Sequence, residues 1–335
     1  MISYKLRWLS PRLMIVVPFL CLCLALPDAL RAADNGEAGK RSRFRLDIYG
    51  GFSLISPGDI NQIVDYDKNV REFTYDLYFN YLQANNMIRS WNKDGDGAGK
   101  KLRHAFPFGF RVRYSVSDFL AISVGFQFMR RGPNGSLNIR YRRNGTGTED
   151  YLESLDISPY RLEVQEFWPS VGIHFMRRFG DSLDAEIFII GGPLFAECSY
   201  ESHVSYAWTI QGQNYTWEPF TSENLLAEDG SGTGLSLELG GRLSFPVRRG
   251  IDVFLESGYA YQMVRSLSGK GSEIQGETLT TWEGTWRTKT EMMTTPWGTR
   301  TWRFPTNYET EGLDSGDLRL DLSGFRIRLG ASFGF

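Results

Sequence analysis

The sequence predicts an all-β protein: an eight-stranded antiparallel up-and-down transmembrane β-barrel with long extracellular loops. Three observations carry that expectation. The last sixteen residues read LDLSGFRIRLGASFGF, with Phe325, Ile327, Leu329, Ala331, Phe333 and Phe335 on one parity and Arg326, Arg328, Gly330, Ser332 and Gly334 on the other. A strict period of two marks a strand with one apolar and one polar face. Seven earlier stretches repeat that pattern, joined alternately by tight turns and by long polar inserts. Finally, the composition is rich in aromatic residues (14%) and in glycine (36 residues), while mean hydropathy is only -0.31. A barrel strand shows lipid only every second residue, so a low average hydropathy is compatible with a membrane protein.

Residues 1–33 read as a secretory signal. Lys5, Arg7 and Arg12 precede an apolar core, Leu13 to Leu26, too short to span a bilayer as a helix. Cutting after Ala32 leaves Leu30 at minus three and cutting after Ala33 leaves Arg31 there, so the site stays open between the two. Cys21 follows Leu20, which does not resemble a lipoprotein signal. Residues 34–42 make a short periplasmic lead, and 43–335 the barrel domain. Cleavage after Ala32 removes four of 37 basic residues and one of 39 acidic ones, shifting the net charge from -2 to -5. Such mild acidity argues against nucleic acid as a partner. Cys198 is the one cysteine beyond the leader, so neither an intrachain disulfide nor a cysteine metal site is expected.

The strands follow in order. Phe44 to Phe52 sets Phe44, Leu46 and Ile48 against Arg45, Asp47 and Tyr49. In the insert from Ser56 to about Arg103, the stretch Val70 to Asn85 reads as a short helix, with a strand as the competing reading. Phe106 to Tyr114 places Phe106, Phe108, Phe110 and Val112 outward and Gly109, Arg111 and Arg113 inward. After a tight turn, Phe119 to Met129 alternates in the same way, and a polar insert runs from Arg130 to about Tyr160. Arg161 to Arg178 carries Phe167, Val171, Ile173 and Phe175 outward. The strand from Leu183 puts Ala185, Ile187 and Ile189 outward and Glu186 inward. Pro169 and Pro193 lie about equally far from the turn between these strands, so they are expected at one height, as a bulge or the outer rim. Residues 207–234 read as a polar insert. Leu235 to Val247 and Ile251 to Arg265 form the next hairpin, and a Thr- and Trp-rich insert to about Asp317 precedes the last strand. A ten-strand alternative would fold 278–288 and 298–308 into the membrane as one more hairpin. Its faces are too polar for lipid, so a hairpin above the membrane is expected.

The terminal pattern, with Ile327, Leu329, Ala331, Phe333 and Phe335 at every second position, resembles the C-terminal assembly signal of bacterial outer-membrane barrels. Over residues 43–335 the chain resembles small barrels of the OmpA/OmpX type. That resemblance implies outer-membrane residence after export through the periplasm, and handling by the barrel-assembly machinery. It also implies contact with outer-membrane lipid and lipopolysaccharide, and a monomeric state.

The inward parity carries Arg45, Asp47, Arg111, Arg113, Glu186, Glu238, Arg242, Asp252, Glu256, Arg326 and Arg328. An eight-stranded barrel has room inside for side chains alone. Buried charges demand partners, so these residues are expected to form a lumen charge network that plugs the barrel, with the strand-eight arginines meeting Glu256 and Asp47. Other constellations point less far. Asn92, Asp94, Asp96 and Gly97 resemble the start of a calcium loop, but position twelve is Arg103 where a bidentate Glu belongs. Glu201, His203 and Ser205 share a parity and resemble the His-x-Ser pair of lipid A deacylases, without flanking motif. Trp282, Trp286, Trp297 and Trp302, with Trp208 and Trp217, could form a recognition surface for sugar or protein, or pack the hairpins on each other. The expectation is therefore a non-enzymatic barrel without cofactor or metal, using its loops for surface contacts or envelope structure. A narrow porin or transporter is the alternative, and a lipid A-acting hydrolase a more distant one.

Overall fold

The computed structural model describes residues 43–55 and most of the chain from 58 onward. It leaves aside 1–42, 56–57, 95–101, 133, 146–150, 181, 212–219, 296–297, 309–314 and scattered positions between 64 and 87. The leader and periplasmic lead expected over 1–42 thus lie outside the described residues.

Eight strands close a ring: β1 (Phe44–Ile55), β2 (His104–Ser115), β3 (Leu120–Arg131), β4 (Tyr151–Phe179), β5 (Leu183–Gln211), β6 (Phe220–Arg248), β7 (Ile251–Val264) and β8 (Gly324–Gly334). Each pairs antiparallel with the next, and β8 returns to β1 with Asp47 opposite Ser332 and Ile48 opposite Ala331. Strand alternation sorts the side chains. Outward Phe108, Val171, Leu239 and Leu329 are each more than half exposed, whereas inward Asp47, Glu238 and Arg328 are at 0–1%. An apolar exterior around an ionic interior inverts a soluble protein and suits a wall facing lipid. This is the architecture of a small outer-membrane barrel. Gly180 and Gly250, with φ of 65° and 76°, take the left-handed conformation needed by the tight turns after β4 and β6.

The strands differ greatly in length. β4, β5 and β6 have 29 residues each, against 11 to 14 for the other five. At ~3.4 Å per residue and a tilt of ~40°, 29 residues rise about 75 Å, several times the ~25 Å apolar band of a barrel. The stretches expected as polar inserts, 151–160 and 207–234, are therefore largely strand. Above lipid the outer face meets water, so the apolar alternation fades although the backbone ladder continues. Asn134–Gly145 pairs with the upper part of β4 and Ile88–Asp94 pairs with Asn134–Gly145. On the other flank, Ser268–Gln275 pairs with β6 and Thr278–Thr285 with Ser268–Gln275. The result is a seven-stranded extracellular sheet growing out of three barrel staves.

Two further differences from the sequence expectation have local causes. The segments 278–288 and 298–308 meet only where Arg287 pairs with Thr306 and Thr288 with Pro305, not as one hairpin. Thr278–Thr285 joins the tall sheet, while Gly298–Thr306 pairs with Arg287–Thr295, which also pairs with Ser315–Asp317. None of these strands enters the ring, so the count stays at eight. Pro169 and Pro193 do stand at one height, but the level is not a bulge. Phe167 pairs with Phe195 and Val171 with Gly191, so the register is the same on both sides of the gap. Two prolines without N–H interrupt the ladder without adding a residue.

Other elements close the outer end. The described residues between 73 and 84 are helical, and Phe79, 1% exposed, stacks on Trp91. A 3-10 turn, Gly58–Asn61, buries Ile60, and Asn61 exchanges hydrogen bonds with the backbone of Leu102 (3.1 and 2.9 Å). The last strand of the sequence reading is divided: Leu320–Asp321 continues the β7 pairing, and β8 starts only at Gly324. Between them the Ser323 hydroxyl accepts the Gln262 N–H (3.0 Å) and donates to the Gln262 carbonyl (3.3 Å). The Leu322 N–H still donates to the Gln262 carbonyl (3.0 Å), so the side chain replaces one bond of the ladder and the register holds.

Candidate functional site

The barrel interior has two layers. The layer nearer the tight turns is ionic. Arg113 and Arg242 flank Asp47 at 2.8 and 2.6 Å, and Arg113 also reaches Glu186 at 2.6 Å. Arg111, Arg242 and Arg328 converge on Glu256 at 2.9, 3.4 and 3.2 Å. Arg328 also pairs with Glu238, Arg326 lies 3.6 Å from both Glu238 and Glu166, and Arg45 pairs with Asp252. His174 bridges Glu186 (2.5 Å) and Ser123 (2.7 Å).

Every one of the eleven inward charges named from the sequence lies in this cluster. The pairing differs at one point: Glu256 meets Arg328, but Asp47 does not meet the β8 arginines. The register sets Asp47 opposite Ser332, two inward positions below Arg328, so Arg113 and Arg242 take it instead. Sequence reasoning missed Glu166, 1% exposed, which accepts from Gln262 Nε2 at 2.8 Å and faces Arg326. The signal was available, because Glu166 alternates with the outward Phe167. With it the cluster holds six arginines (45, 111, 113, 242, 326, 328) against six carboxylates (47, 166, 186, 238, 252, 256).

Aromatic rings interleave with the guanidinium groups. Arg242 lies 3.6 Å from the Phe254 centroid, Arg111 and Arg328 lie 5.3 and 5.2 Å from Tyr49, and Arg326 lies 5.5 Å from Trp168. Three of the inward aromatics sit directly across from glycine: Tyr49 from Gly109, Phe188 from Gly240 and Phe254 from Gly330. A Cβ on those glycines would come within 2.4–2.8 Å of the facing ring. The inward glycines are therefore the room into which each ring lies down.

The outer layer is largely apolar, with Glu228 buried beside it and accepting from the Thr306 hydroxyl (2.6 Å) and the Asn307 N–H (3.3 Å). Ile60 and Ile63, Leu102, Trp168, Leu194, Cys198, Leu267, Trp286, Leu318, Leu320 and Leu322 form one buried cluster. Trp286, completely buried, donates its indole N–H to the Asp229 carbonyl at 2.8 Å. It belongs to the core beneath the hairpins, not to a recognition surface, because its chain position turns it under Gly230. Trp282 is half-buried and donates to Asn307 Oδ1 at 2.6 Å while packing edge-on against Tyr308. Trp302 lies on the strand Gly298–Thr306 and Trp208 on β5, while Trp217 and Trp297 fall outside the described residues. Burial pushes the Cys198 thiol pKa up.

Glu201 and His203 lie on the parity opposite buried Ser202, so they point away from the interior, and Ser205 continues that parity above the ring. On the outer face above β3, Glu163 binds Arg130 (2.7 Å), Arg161 (2.8 Å) and Gln165 (2.5 Å). Burial raises its pKa, but the hydrogen bonds from these three outweigh that and hold the carboxyl below its ordinary range. Asn92 and Asp94 lie on the strand Ile88–Asp94, opposite Arg142 and Arg140. Phe335 donates its N–H to the Phe44 carbonyl at 3.2 Å, joining the end of the assembly-signal pattern to β1.

No family model matches the chain, and no curated protein matches it. Among solved structures it is similar to the crystal structure of Ail, the attachment invasion locus protein of Yersinia pestis, in complex with the heparin analogue sucrose octasulfate. The likeness covers 87% of this chain and 98% of that one, at 10% identity and a TM-score of 0.29. The superposition is loose, and the fold stands on the closed ring of strands itself.

Proposed function

We propose that this protein is a non-enzymatic, monomeric outer-membrane barrel with a closed lumen, whose tall extracellular sheet makes surface contacts or serves envelope structure. Export by a cleaved signal, insertion by the barrel-assembly machinery and residence beside outer-membrane lipid and lipopolysaccharide belong to this reading. The observation that carries it is the two-layer interior. A balanced cluster of six arginines and six carboxylates lies below, and apolar side chains under the Gly58–Asn61 turn lie above. Ion transfer through it would require breaking paired charges and then crossing a desolvated layer, each step costly. The narrow-porin alternative lacks a comparable supporting feature. The test is conductance in planar bilayers: the purified, refolded chain is expected to give no stable porin-sized steps. Steady ion-selective channels would overturn the closed-lumen reading and favour a transporter.

A further inference from the structure

Arg265 and Arg319 are both exposed, and the register that pairs Leu320 with Val264 places them opposite each other at its next step. Neither has an ion pair among the described residues. Like charges directly across a ladder are destabilising. Together with Tyr261 and Met263 they line one cleft of about 350 Å³ on the outer wall. Asp321, two residues beyond Arg319, accepts the Ser323 N–H at 2.8 Å.

Height along β7 identifies what the cleft faces. Each residue rises about 2.5 Å along a tilted strand, so Tyr261 stands ~28 Å above the turn at Gly250 and Arg265 ~38 Å. The apolar band is ~25 Å tall. Tyr259 and Tyr261, both exposed, therefore mark its upper edge, as interfacial tyrosines do. The arginines stand one headgroup layer higher, and the highly exposed Leu235, paired with Met263, stands between Tyr261 and the arginines.

We propose that this cleft seats the phosphate-bearing headgroup of an outer-leaflet glycolipid. Arg265 and Arg319 fork onto the phosphate, Tyr261 lies at the acyl boundary, and Met263 and Leu235 line the step between boundary and phosphate. Guanidinium forks match phosphate geometry, and one bridging anion removes the repulsion between the two cations. The inference rests on the membrane reading above. Its test uses the full chain refolded into phosphatidylcholine nanodiscs doped with bis-phosphorylated lipid A or with the same lipid dephosphorylated. Retained lipid A is then counted by native mass spectrometry after detergent exchange. The wild type is expected to retain the phosphorylated form about tenfold better, as charged hydrogen bonds of this kind allow. Arg265→Gln/Arg319→Gln should abolish that preference, and Arg248→Gln/Arg249→Gln, at the opposite end, should keep it. Equal retention of the two lipids, or an unchanged preference in the double variant, would overturn the site. Loss of retention in inorganic phosphate would reassign it to a free anion and overturn the lipid. A chain that never enters the discs refutes the membrane reading and the site together; one that enters without discriminating refutes the site alone.

Discussion

Arg242 is the natural place to probe the ionic layer. It is completely buried, lies 2.6 Å from Asp47 and 3.4 Å from Glu256, donates to Ser244 at 2.8 Å and stacks on Phe254. Arg242→Leu keeps part of the packing but leaves six carboxylates facing five arginines. At an effective dielectric near 20, unit charges 4 Å apart interact by about 4 kcal/mol. Asp47 keeps Arg113, and Glu256 keeps Arg111 and Arg328, so the loss is partly cushioned. Removing one partner of a buried pair should cost about 3–4 kcal/mol. Asp47→Asn alone should cost a similar amount, because it takes one partner each from Arg113, left with Glu186, and Arg242, left with Glu256. The double variant restores the balance and should cost no more than either single change, a coupling of about 3 kcal/mol. Denaturant titration of the refolded protein in detergent, followed by tryptophan fluorescence and gel mobility, reads all four corners of the cycle. Additive losses, or an Arg242→Leu cost below about 1 kcal/mol, would refute the view that the interior is a mutually paired network.

Other expectations concern the outer end. In a chain carrying Cys21→Ser and Cys23→Ser, thiol reagents should label Cys198 only after unfolding, because it is buried with a raised pKa; rapid labelling of the folded form would contradict its place in the core. Trp286→Ala empties a fully buried site and should cost about 3–5 kcal/mol, read as a lowered denaturant midpoint; a shift below about 1 kcal/mol would mean that the hairpins do not rest on this ring. Trypsin added to intact cells should cut at Lys270, whose side chain is 69% exposed, and spare Lys289 and the turn at Arg249; cleavage at Arg249 would invert the topology. Deleting Phe335 should lower the heat-modifiable folded fraction in outer-membrane preparations, and an unchanged yield would detach the terminal aromatic from assembly.

The wall of the barrel was legible because lipid enforces alternation on every stave. Phe108, Leu239 and Leu329 must face out, so Arg111, Glu238 and Arg328 must face in. The upper halves of β4, β5 and β6 were not legible for the converse reason: with water on the outer side, Glu201 or Asp229 suits a strand as well as a loop. The apolar layer escaped notice because its members come from many short segments. Ile60, Leu102, Leu267 and Leu318 lie in no periodic stretch, and only the tertiary fold brings them together. Glu166 lay within reach of the parity rule, whereas the choice of Arg113 and Arg242 as partners of Asp47 required the register between strands.

The unequal stave heights give the molecule a front and a back. Along β4 to β6 the sheet stands like the back of a chair, and the apolar layer is the cushion set against it. Along β7, β8 and β1 the rim is low. Neighbouring lipids therefore meet two different coastlines: a tall screen on one side, and on the other a short step to the closed mouth. Arg265 and Arg319 stand where the screen falls away to that step, so a headgroup held there would also fix how the protein is turned in the plane of the membrane.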